Sequence, residues 1–117
     1  MSTISWALPP DDADGVVARQ VVQSTLVDHP RLQDVELVVG ELASNAFRHG
    51  RPPQYLFLDS EQDGTVIVRV TQRETVRRPT ERQDDDQPSG LALVASVADD
   101  WGWTLQDGKL VVWARFD

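Results

Sequence analysis

The chain has no cysteine, which removes disulfides, thiolate nucleophiles and cysteine-ligated zinc from consideration. It is also poor in positive charge: 11 lysines and arginines face 19 aspartates and glutamates, leaving a net charge of -8. A protein that neutralises nucleic-acid phosphates needs a basic face, so nucleic acid is excluded as a partner, and an anionic membrane surface with it. No apolar run approaches the roughly 20 residues needed to span a bilayer. The N-terminus, Met-Ser-Thr-Ile-Ser-Trp, lacks the basic segment and apolar stretch of a secretory signal. A cytoplasmic location is the expectation. What the chain does have is 117 residues and 40% apolar content, enough for one globular domain over 1–117 with its own core.

Apolar spacing assigns the elements. Ile4, Trp6 and Leu8 alternate ahead of Pro9-Pro10, as in a short edge strand. Val16, Val17, Val21, Val22 and Leu26 recur at helical spacing, with Asp11, Asp12 or Asp14 as candidate caps. His29-Pro30 interrupts, and His29 reads as a solvated turn residue. A long helix starts at Arg31 or Leu32 and ends at Gly50, a C′ glycine. Arg51-Pro52-Pro53 reads as a break, Tyr55 to Leu58 as a strand, Asp63-Gly64 as a hairpin turn, and Val66, Val68 and Val70 as the next strand. Residues 73 to about 89 are almost wholly polar and read as a mobile, lid-like surface loop. Leu91 to Ala98 reads as a helix. Trp101 to Leu105 and Leu110 to Phe116 form a closing hairpin around Asp107-Gly108, the last strand apolar on both faces and therefore central or covered on both sides. Hairpin connections predict an α+β fold, a mostly antiparallel mixed sheet with about three helices on one face.

The chemistry concentrates in the long helix. Val35, Val39, Leu42 and Ala46 fall on one stripe, with Val38 and Ala43 beside it. Glu41 and Asn45 lie one turn apart on the flank of that stripe, where a carboxylate and a carboxamide can face a cleft. On spacing alone, an ordinary polar flank is the better account of the two. His49 at a helix C-terminus is ordinarily explained by the last carbonyls, the four tryptophans by packing, and Asp84-Asp85-Asp86 by solvation.

In this order of elements, Glu41-Leu42-Ala43-Ser44-Asn45-Ala46-Phe47-Arg48-His49-Gly50 resembles the Asn-containing box of GHKL-type ATP-binding domains. Gly90-Leu91-Ala92-Leu93-Val94, followed by Asp99-Asp100-Trp101-Gly102, is similar to the glycine box and the strand after it. Within that group the chain most resembles the short anti-sigma factor serine/threonine kinases of actinobacteria. The resemblance implies a Bergerat-type two-layer sandwich that binds ATP and Mg2+. Asn45 would ligate magnesium and Glu41 would be the general base toward a serine hydroxyl. Gly90 and Leu91, opening a helix, would meet the phosphates, with Arg48 and His49 facing the same cleft. It also implies a sigma factor or an anti-sigma antagonist as partner, and a homodimer.

Two positions depart from the family pattern. Gln72 stands where an aspartate should meet the adenine amino group, and Pro88-Ser89-Gly90 where Gly-x-Gly is usual. A neutral amide in place of a carboxylate should weaken binding by about tenfold. Proline offers no N–H to a phosphate. These departures motivate the alternative, a non-catalytic protein-interaction module with a degenerate nucleotide site.

Overall fold

Helical and alternating patterns resolve into eight elements in the computed structural model, which describes residues 2–11, 14–49, 51–73 and 90–117. In chain order these are β1 (Ser2–Leu8), α1 (Val16–Thr25), α2 (Leu32–His49), β2 (Arg51–Ser60), β3 (Val66–Arg73), α3 (Gly90–Val97), β4 (Asp100–Gln106) and β5 (Lys109–Phe116). The strands form one sheet in the order β1-β2-β3-β5-β4. Every neighbouring pair is antiparallel, so the expected mixed character is absent among the described strands. Hairpins join β2 to β3 and β4 to β5, while β1–β2 and β3–β5 pair across intervening elements. Asp107 and Gly108 both have positive φ (53° and 75°), the backbone of a two-residue turn whose twist matches that of the strands it joins.

The three helices lie on one face. Leu56 and Leu58, Val66, Val68 and Val70, and Leu110, Ala114 and Phe116 point inward from β2, β3 and β5. They meet the α2 stripe of Val35, Val38, Val39, Leu42, Ala43 and Ala46, with Ala18, Val21 and Val22 of α1 and Leu91 and Val94 of α3 completing one core cluster. Burying each large side chain contributes about 1.5–3 kcal/mol, which is what holds short helices in place.

Several local expectations are corrected. No aspartate side chain caps α1; its N-cap is Gly15, in the left-handed region at φ 68°. Asp12 lies outside the described residues. Gly15 is needed for space as well as conformation, since a Cβ there would come within 2.6 Å of the Gly40 carbonyl oxygen, where α1 crosses α2. The expected break at Arg51-Pro52-Pro53 is instead the start of β2. A register shift between Arg51 and Tyr55 takes up the two prolines, which cannot donate to the ladder; Gly50 lies outside the described residues. The last strand, β5, is interior, the first of the two expected alternatives, with the helices on one of its faces. Val111 and Trp113 on its outer face are half-buried because neighbours on that face pack sideways, with Trp113 lying over Gly102. His29 is not merely solvated. Its Nδ1 accepts from the Arg31 N–H at 3.0 Å, which places the ring proton on Nε2, 2.9 Å from the Gly64 carbonyl oxygen. The ring thus ties the α1–α2 connection to the β2–β3 hairpin.

Arg31 closes the end of the molecule where α2 begins. Its guanidinium donates to Asp34, Asp99 and the Val97 and Asp117 carbonyl oxygens, and it stacks 5.4 Å from the centre of the buried Phe116 ring. The Asp117 backbone N–H, and then Arg31, hold the Asp99 carboxyl below its ordinary value of 3.8. A depressed carboxyl stabilises the fold above its unfolded pKa, and that contribution is lost as pH falls through the lower folded value. Arg31→Ala should therefore be destabilising at neutral pH. The gap between variant and wild type should narrow as Asp99 takes up its proton, below the ordinary 3.8. Urea unfolding of both proteins at neutral and acid pH measures this.

Candidate functional site

The site lies at the other end of α2. At 1.5 Å per residue, Asn45 is about 20 Å along the helix from Arg31. Glu41 and Asn45 are half-buried on one flank of the helix, as the 3.6-residue period places them. Ser44, one turn before Arg48, is buried. The Glu41 carboxylate has neither a hydrogen-bond nor an ion-pair partner among the described residues. Asn45 does have one: Arg48 donates through Nη2 to Asn45 Oδ1 at 2.6 Å and through Nη1 to Ser44 Oγ at 2.9 Å. A guanidinium one turn along thus sits on the oxygen that the sequence marks as a metal ligand.

Gln54 lies beneath this turn, and Gln72 at the same end of the sheet. Gln54, 5% exposed, donates Nε2 to the Ala46 carbonyl oxygen at 2.7 Å. Ala46 is in the last turn of α2, where carbonyls have no partner within the helix, so Gln54 anchors β2 directly under the residue after Asn45. Sequence reading missed Gln54. The available signal was a polar residue in phase with the inward-facing Leu56 and Leu58. Gln72 is 7% exposed and follows Val66, Val68 and Val70 on the inner face of β3. Gln54 precedes Tyr55, which pairs with Thr71, so the two glutamines occupy the same end of the sheet. The Gln72 amide has no hydrogen-bond partner among the described residues.

α3 packs against α2. Gly90 is its first residue and Leu91 is buried. His49 is the last residue of α2, and the role expected of its ring falls outside the described residues. So do residues 74–89, including the expected lid and Pro88-Ser89. The structure therefore gathers Glu41, Asn45, Arg48, Gln54 and Gln72 at one end of the two layers, with the start of α3 packed alongside.

No group of three or more His, Asp or Glu side chains among the described residues could enclose a metal. Magnesium keeps several waters and takes one or two protein oxygens plus substrate phosphates. Asn45 Oδ1 fits such a role because it already faces a positive group. Arg48 would have to release it.

A family model described as the histidine kinase-like ATPase domain matches residues 12–116. The chain belongs to that family. Histidine kinase-like ATPase domains form part of the GHKL group, and the α+β sandwich with an open five-stranded sheet agrees with it. Among solved structures, this domain is similar to the RsbU and RsbW domains of Rv1364c from Mycobacterium tuberculosis. The TM-score is 0.73 over 99% of this chain at 16% identity, which shows the fold. The domain spans 32% of that chain, about a third of its length. No curated protein matches. No helix among the described residues is long and apolar enough to cross a membrane.

Proposed function

We propose that this histidine kinase-like ATPase domain is an ATP- and Mg2+-binding regulator of the anti-sigma factor kinase type, which phosphorylates a serine of an anti-sigma antagonist and sequesters a sigma factor. The observation that carries the reading is the placement of Glu41 and Asn45 on one flank of α2, at the end of the fold where Gln54 holds the last turn of that helix and Gln72 ends the inner face of β3. Family membership makes a nucleotide the natural occupant of that end.

Each residue then has a task. Gln72 meets the base, and Gly90 and Leu91 turn backbone N–H groups toward phosphate oxygens. Asn45 offers Oδ1 as a ligand. Magnesium held there would neutralise charge on the phosphates during transfer. Arg48, released from Asn45, can move its guanidinium to a phosphate, which it binds in the same forked geometry. Glu41 takes the proton of the attacking serine hydroxyl, a step that needs a carboxylate within hydrogen-bond reach and free of other partners. His49 belongs to the same cleft in this reading, as do a homodimer and a cytoplasmic location.

Calorimetric titration with Mg-ATP tests the proposal. Binding in the micromolar range, weakened at least about tenfold by Asn45→Ala, is the expected result. A second reading, a non-catalytic interaction module, is favoured by the neutral Gln72 and by the guanidinium seated on Asn45 Oδ1. It predicts no heat with Mg-ATP while a sigma factor or antagonist is still captured.

A further inference from the structure

We infer that β1 is a pairing edge for a second copy of this chain, the two strands running antiparallel about a two-fold axis at Ser5 and joining two five-stranded sheets into one. The inference needs nothing from the nucleotide-binding reading. It gives a surface to the homodimer named there.

β1 and β4 are the two edges of the sheet. An edge strand presents a row of unpaired N–H and C=O groups, and folded proteins ordinarily blunt it with charge, proline, a bulge or a covering element. β4 carries Asp100, ion-paired to Arg115, and Gly102, which weakens a strand. β1 has no such device within its length. Ser-Thr-Ile-Ser-Trp-Ala-Leu contains no charged residue and no proline. All seven residues pair with β2 in unbroken register, from Ser2 opposite Ser60 to Leu8 opposite Gln54, so no bulge turns the strand away. Among the described residues no strand pairs with its other side, and five of its seven residues are exposed. In a chain of net charge -8, an uncharged edge is where a second copy meets least repulsion.

The side chains of the strand match a copy of themselves. Ile4, Trp6 and Leu8 face the helix side, opposite Leu58, Leu56 and Gln54. Leu8 is in the core, but Trp6 is 50% exposed. Antiparallel pairing centred on Ser5 sets Trp6 of each copy across from Ile4 of the other, an aromatic–β-branched pair, and makes the two indoles diagonal neighbours within reach of each other. It sets Ser5 against Ser5, and Thr3 against Ala7, on the outer face. Only a centre at Ser5 pairs all seven residues of both strands. Seven residues a side is well below the roughly 20–30 of a standard interface, so the association is weak and concentration-dependent.

The lack of cysteine makes a specific test available. Opposed Cα atoms in an antiparallel pair are about 4.5–5.5 Å apart, within the span that a disulfide bridges. Ser5→Cys in the full chain should therefore oxidise to a disulfide-linked dimer in a glutathione redox buffer, read on a non-reducing gel. Thr3→Cys should not, because its two thiols stand four residues, about 13 Å, out of step in this register. Sedimentation of wild type from about 10 to 500 µM should show a reversible monomer–dimer equilibrium. Trp6→Lys, which brings two ammonium groups together across the axis, should weaken it by about tenfold or more. Trp6 is half exposed and outside the core cluster, so the lysine variant should fold. Should its circular dichroism show otherwise, the two cysteine variants decide. A monomer throughout that range, a dimer as strong in Trp6→Lys as in wild type, or Ser5→Cys cross-linking no better than Thr3→Cys overturns the inference. None of these results bears on nucleotide binding, which the Mg-ATP titration tests separately.

Discussion

Glu41→Gln should lower phosphoryl transfer by about 10²–10⁴-fold while leaving Mg-ATP affinity within about threefold. Glutamine keeps the shape of the side chain and its place one turn before Asn45, but it cannot take a proton. The half-buried carboxylate has no described partner to lose, so the substitution leaves no uncompensated charge behind and the fold should be unaffected. Asn45→Ala should do the reverse, weakening binding first. This split between turnover and affinity assigns the two residues separately, because a group acting only in the transition state moves the rate constant and not the ground-state complex. The measurement is phosphoserine formed on an anti-sigma antagonist incubated with labelled ATP, at saturating nucleotide. Equal phosphoserine yields from wild type and variant would exclude Glu41 as the base.

Residues whose neighbours are close in sequence were readable before any coordinates. The α2 stripe from Val35 to Ala46, the alternation Val66-Val68-Val70 and the Asp107-Gly108 turn depend on periods of 3.6 and 2 and on local backbone conformation, and they appear as expected. The antiparallel pairing of β2 with β3 and of β4 with β5 followed from their hairpins. Placing Glu41 and Asn45 on one flank needed only helix geometry. What escaped depends on pairs far apart in sequence. Gly15 is fixed by Gly40, 25 residues later, so no local signal distinguished it from a flexible linker and the aspartates seemed better caps. Pro52 and Pro53 read as a break because a register shift that accommodates them is a property of the pairing with β3. Gln54 reads as a polar strand residue until the last turn of α2 is above it, offering a carbonyl oxygen without a helical partner. The apolar outer face of β5 suggested a covering layer. The sheet instead satisfies it sideways, through Trp113 over Gly102 and, farther along, the Arg69 guanidinium 4.9 Å from the Phe57 ring centre.

Phe116→Ala should destabilise the domain by about 3–5 kcal/mol, the usual cost of emptying a buried aromatic site. Phe116 is fully buried in the core cluster and pairs with Val66 at the start of β3. For a chain of this length the expected fall in melting temperature is about 10–20 °C. Because native domains carry only about 5–15 kcal/mol in all, the variant should still fold at 25 °C but with little margin. Its nucleotide affinity should nevertheless be unchanged there. Phe116 and Gln72 lie at opposite ends of the β3–β5 ladder, six residues apart on β3 and so about 20 Å, and the site shares no side chain with the cavity the substitution leaves. Arg31 sharpens the test, since its guanidinium stacks on the ring that is removed. The Arg31→Ala and Phe116→Ala costs should therefore fall short of additivity by about 0.5–1 kcal/mol, the worth of a partly exposed cation–π contact. Full additivity would mean that Arg31 works only through Asp34, Asp99 and the carbonyl oxygens of Val97 and Asp117. Thermal unfolding of wild type, both single variants and the double variant, with Mg-ATP titrations at 25 °C, would decide between these outcomes. A loss of affinity in the folded Phe116→Ala protein would show that the two ends of α2 are coupled through the core rather than independent.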